Sequence, residues 1–131
     1  VGAMISIMVE RDLGPYLAAW RARFRESDAE RTRRAREARR LAPLLAERLV
    51  KGYGARRVWL IGSLVEGGFD ERSDIDLAAE GLPPGSALFR AGAELDDLAR
   101  PFTVDLIPIE EARPSVREKV FARGELLHGR E

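Results

Sequence analysis

The chain has 131 residues, enough for one compact domain with a real core and too few for a second catalytic unit. Lys+Arg and Asp+Glu both total 22, so net charge gives no support to a nucleic-acid partner, and with no cysteine and one histidine (His128) a disulfide scaffold, a thiolate zinc site, a cysteine nucleophile and Ser-His-Asp chemistry lack the residues they need. No apolar run reaches the roughly 18 residues of a membrane span, so the expectation is a cytoplasmic protein with no membrane partner.

Val1-Gly2-Ala3 ahead of Met4 reads as an expression scar and stays outside the fold argument. Ile5 to Val9 is too short for a signal-peptide core and has no basic flank before it. Leu13, Leu17, Trp20 and Phe24 step by four, three and four, one apolar stripe of a helix that starts near Gly14-Pro15. Ser27 or Asp28 is expected to end that helix or to cap a second one. Ala38, Leu41, Leu45 and Leu49 make another stripe, in which Pro43 predicts a kink or a helix start and Gly52 and Gly54 the end.

The period then shortens. Arg57-Val58-Trp59-Leu60-Ile61 reads as a buried strand that stops at Gly62, and Asp74-Ile75-Asp76-Leu77-Ala78 alternates as a second strand. After a Pro/Gly loop from Gly81 to Gly85, Leu88, Ala91, Leu95 and Leu98 give helical spacing, closed by Arg100-Pro101. Phe102 to Ile107 is the third expected strand, terminated by Pro108, and a last helix runs from Pro114-Ser115 through Val120 and Phe121 to Gly124. This order predicts an α/β (α+β) layer fold with a small central sheet.

The arginine-rich stretch from Arg21 to Arg40 could follow a phosphate backbone, but Glu26, Asp28, Glu30 and Glu37 are interleaved at helical pairing distances. A solvated, self-paired helix face is the better reading, and nucleic acid is disfavoured as a partner. The Leu13/Leu17/Trp20/Phe24 stripe either packs on the domain's own sheet or buries itself against a second molecule, as a homodimer through the N-terminal helices or against a partner protein.

Three features carry chemistry. Gly62-Ser63 follows a buried strand, where a glycine permits close backbone approach and a serine hydroxyl can hold phosphate oxygens. Asp74 and Asp76, one residue apart on a strand, project from the same face with backbones about 7 Å apart, and their mutual repulsion is relieved by a divalent cation. Asp105 stands between Val104 and Leu106, where an acid is costly unless paired, solvated or metal-bound. If its strand lies beside that of Asp74 and Asp76, three carboxylates share one site, as two-metal phosphoryl transfer requires.

Gly62-Ser63, ten intervening residues and then Asp74-Ile75-Asp76 resembles the nucleotidyltransferase pattern of the DNA polymerase β superfamily. Gly67 and the run Ser73-Asp74-Ile75-Asp76-Leu77 look like its minimal nucleotidyltransferase (MNT) branch, and Asp105 stands where that family has a third acid. The resemblance covers about Val58 to Leu127 and implies a nucleotidyltransferase fold, a small mixed sheet flanked by helices. Residues 1–52 would form an N-terminal helical extension and 53–131 the catalytic domain. It further implies Asp74, Asp76 and Asp105 as catalytic metal ligands for two Mg²⁺ ions, Gly62, Ser63 and Ser73 as nucleotide-binding residues, and ATP as the donor. The family commonly has basic residues at the first and third positions after Gly-Ser; Leu64 and Glu66 stand there, and Arg72 is the substitute cation. Short members of this branch are often antitoxins that transfer AMP to a tyrosine of a HEPN-domain ribonuclease toxin, and that partner is what the resemblance implies here. The alternatives are nucleotidyl transfer to a small molecule and a catalytically weak MNT-fold protein acting by occlusion.

Overall fold

The computed structural model describes residues 14–130, with side chains described outside 22–27. By its internal contacts the chain divides into two units, Val1–Arg33 and Arg34–Glu131. In the first, the described residues belong to helix α1 (Gly14–Tyr53), and Tyr16, Leu17 and Trp20 are all at least half exposed. Leu13 and the Phe24 side chain, the other members of the expected stripe, lie outside the described residues, as do residues 1–13.

The break expected at Ser27 or Asp28 does not occur: α1 runs unbroken through both, and Asp28 serves inside it, its backbone carbonyl accepting from Thr32 Oγ1. Pro43 is likewise interior and not a helix start. Proline removes one intrahelical hydrogen bond there, which the buried face around it offsets. Ala38, Ala42, Leu45, Ala46 and Leu49 form that face, each almost fully buried.

The second unit is a four-stranded mixed sheet. Strands β1 (Arg57–Ile61), β2 (Ile75–Glu80), β3 (Val104–Pro108) and β4 (Glu125–His128) lie in the order β3-β2-β1-β4. β1 pairs antiparallel with both β2 and β4, whereas β2 and β3 run parallel. A parallel pair needs a crossover, and helix α3 (Ser86–Ala99) supplies it. The third expected strand begins two residues late, because Phe102 turns into the core against Phe69 and leaves pairing to start at Val104.

Alternation sorts the sheet into two faces. Val58, Leu60, Ile75, Leu77 and Ala79 pack with the α1 face and with Ala91 and Leu95 of α3. On the opposite face Trp59 and Ala78 meet Ile109 and Val120, and helix α4 (Pro114–Arg123) partly covers it. Truncating any of the fully buried leucines of the first core would cost about 2–5 kcal/mol.

Candidate active site

The register of β2 and β3 sets Asp76 directly opposite Asp105. Adjacent strands are about 4.8 Å apart, and residues in register share a face, so both carboxylates stand on the side of the sheet that carries Trp59 and Ala78. Asp74 lies one residue before β2, its Oδ1 accepting from Thr103 Oγ1, while Ile75 N donates to the Thr103 carbonyl at 2.9 Å. Asp96 of α3 fixes the start of β3 by accepting from Val104 N at 2.7 Å. Helix α3 therefore places Asp105 as well as connecting its strand.

Burial first, and then the neighbouring Asp105 and Asp74, push the Asp76 carboxyl up to about 6. None of these three acids forms an ion pair with a described residue. Three mutually repelling carboxylates without a cation are a donor set that suits a hard divalent ion. Among the described residues no three acid or histidine side chains are drawn together into a ready-made cage, so an ion would also have to gather them.

Gly62 ends β1 beside this cluster with φ 74, a conformation that favours glycine. A Cβ there would collide with Asp76 Oδ2, so a side chain at this position would both strain the backbone and displace the Asp76 carboxylate. Ser63 opens the short helix α2 (Ser63–Glu66). Leu64, at the first position after Gly-Ser, is buried in the core, where a cation would have no partner. Glu66, at the third, meets Arg123 Nη1 at 3.0 Å. Its charge is neutralised by α4.

Ser73 and Arg72 occupy the loop before Asp74. Asp70 N donates to Ser73 Oγ at 3.0 Å, Ser73 Oγ donates to Asp70 Oδ1 at 3.2 Å, and Arg72 N donates to the same oxygen at 2.9 Å. The serine thus braces the turn that delivers Asp74, and Arg72 is exposed beside it.

A cleft of about 180 Å³ opens next to Gly62, lined by apolar Ile61, Val116 and Val120 and by charged Glu66, Lys119 and Arg123. Sequence reasoning missed Lys119, Arg123 and Thr103. The i, i+4 spacing of the two cations was visible, but only tertiary packing shows which way their helix face turns.

The polymerase β nucleotidyltransferase family model matches residues 45–131. Among solved structures, a chain described as a minimal nucleotidyltransferase is similar with a TM-score of 0.53 and 28% identity, over 71% of this chain and 90% of the other. A chain of a toxin–antitoxin complex with AMP-PNP gives a TM-score of 0.59 at 22% identity, covering 68% and 74%. One from the MntA-HepT toxin–antitoxin complex gives 0.54 at 21%, covering 70% and 73%. At such identities these last two speak to the fold alone. No curated protein sequence matches the chain. Matched over well more than half its length, and folded like these neighbours around a four-stranded mixed sheet, the chain belongs to the polymerase β nucleotidyltransferase family.

Proposed function

We propose that this chain is the antitoxin of a toxin–antitoxin pair, and that it silences a HEPN-type ribonuclease toxin by transferring AMP from ATP to a toxin tyrosine. The observation that carries the transferase reading is the unpaired acid cluster, Asp76 opposite Asp105 with Asp74 alongside, next to the Gly62-Ser63 turn. The toxin–antitoxin complexes among the structural neighbours, one of them with AMP-PNP, support the choice of donor and partner.

Two Mg²⁺ ions held by Asp74, Asp76 and Asp105 would neutralise charge on the triphosphate and the attacking oxygen. Gly62 and Ser63 hold the triphosphate, Ser73 keeps the Asp74 loop in place, and Arg72 offers a cation at its rim. The tyrosine oxygen forms a bond to the α-phosphorus, and the bond from that phosphorus to the oxygen bridging to the β-phosphate breaks. The tyrosine proton passes to the Asp105 carboxylate. The products are a tyrosyl–AMP phosphodiester and pyrophosphate.

Incubation with Mg²⁺, ATP and the protein encoded beside this chain should add an AMP-sized mass to that protein. Asp74→Asn and Asp76→Asn should each abolish the increase. An unchanged signal in both variants would refute the metal roles, and tight binding without any mass increase would favour silencing by occlusion.

A further inference from the structure

We infer that Lys119 and Arg123 of α4 are the cations that receive the β- and γ-phosphates of the donor nucleotide and steady the departing pyrophosphate. This rests on the transferase reading above. It answers the absence of basic residues at the first and third positions after Gly62-Ser63, where Leu64 is buried in the core and Glu66 is ion-paired.

The order of the strands gives the direction. Across the sheet from β3 to β4 come Asp105, then Asp74 and Asp76, then the Gly62-Ser63 turn at the end of β1. A nucleotide whose α-phosphate sits at the acids and whose triphosphate continues past the turn runs on toward β4, and the cleft lies on that path, with Gly62 and Gly124 both among its lining. Lys119 and Arg123 are one helical turn apart, so their side chains share a face of α4, and both line this cleft. Both are exposed, which leaves their heads available to a ligand. Lys119 makes no ion pair with any described residue. Arg123 gives Glu66 one hydrogen bond, through Nη1, out of the five donors a guanidinium carries. Glu66 thereby acts as a positioning residue: it ties Arg123 to α2, immediately after the Gly-Ser turn, and is itself neutralised there.

The test is calorimetric titration of the full chain, in Mg²⁺, with a non-hydrolysable ATP analogue bridged by carbon between the α- and β-phosphates, and separately with AMP and with pyrophosphate. Lys119→Ala should weaken the analogue and pyrophosphate about tenfold, and Arg123→Ala more, because it also leaves Glu66 unpaired facing phosphate. AMP affinity should be unchanged in both. Glu66→Gln placed in the Arg123→Ala background should recover part of the loss, which a merely structural role for Glu66 would not produce. Arg123→Lys should retain most of the affinity, and the thermal midpoints should stay close to that of the unmodified chain. Equal loss for AMP and for the analogue would mean that the cleft takes the nucleoside, and undiminished binding in both alanine variants would mean that it takes neither; each result overturns the assignment while leaving the transferase reading intact. Failure of the unmodified chain to bind any of the three ligands would overturn both.

Discussion

Asp76 carries a charge that its surroundings disfavour, since burial and two neighbouring acids hold its carboxyl at about 6 against an ordinary 3.8. Between those two values the folded chain binds more protons at this group than the unfolded chain does. Stability contributed by the group therefore falls as pH rises through that window, and the loss is complete above about pH 6. Asp76→Asn escapes it. In the absence of divalent ions the variant should unfold at a higher temperature than the unmodified chain at pH 7.5, by the equivalent of about 1–2 kcal/mol, and show no gain near pH 3.5. Partial solvation of the carboxyl keeps the gain this small. Thermal unfolding at the two pH values decides it, and a loss of stability at pH 7.5 would mean that the carboxylate is held favourably after all. Addition of Mg²⁺ should reverse the ranking, because the ion stabilises only a chain that can bind it. Gly62 lies against the same side chain. Gly62→Ala combines a left-handed φ of 74 with a collision at the Asp76 carboxylate, so it should cost about 1–3 kcal/mol in urea denaturation. An alanine that left the denaturation midpoint unchanged would show that the turn has another conformation open to it.

Elements with a strong period were readable from sequence, and those placed by contacts with distant residues were not. β1, β2, α3 and α4 follow from runs such as Val58-Trp59-Leu60-Ile61 and from Ala91 and Leu95 four residues apart. β4 did not, because Glu125-Leu126-Leu127-His128 has only two apolar residues and becomes a strand by pairing with β1. The candidate site was legible to the same extent: Gly62, Asp74, Asp76 and Asp105 lie on strands or at their ends, whereas Lys119 and Arg123 depend on how α4 packs. Arg39 is the case where local reasoning misleads most. Within the arginine-rich part of α1 it looks like one more solvated charge, yet its guanidinium donates to the Leu64 carbonyl at 2.9 Å and to Glu125 at 2.6 Å. It thereby joins α1 to α2, by taking up the Leu64 carbonyl, and to the first residue of β4. Arg39→Ala should destabilise the chain by about 1–2 kcal/mol, whereas Arg36→Ala and Arg40→Ala should stay within about 0.5 kcal/mol. Chemical denaturation of the three variants would reveal equal costs if all three arginines were only solvated.

At the scale of the whole molecule, a chain with equal numbers of acids and bases has no net charge to draw a partner in, so recognition has to come from local surfaces. Among the described residues no helix is long and apolar enough to cross a membrane. Leu17 is 50% and Trp20 57% exposed, three residues apart on one face of α1. A tryptophan is the kind of anchor that dominates protein interfaces, where truncating one costs about 2 kcal/mol or more, about thirtyfold in affinity, and the leucine beside it adds apolar contact. If the toxin proposed above as the partner docks on this face, Leu17→Ser with Trp20→Ser should weaken that association by at least that factor. The melting of the sheet domain and the affinity for Mg²⁺ and the ATP analogue should not change, because the acids and the cleft belong to the second unit. Biolayer interferometry with the toxin immobilised, run beside the nucleotide titration, separates the two quantities. Loss of nucleotide binding together with partner binding would mean that the stripe supports the fold instead, and unchanged association would move the docking surface to the second unit, where Phe89 and Leu44 are the most exposed large apolar side chains.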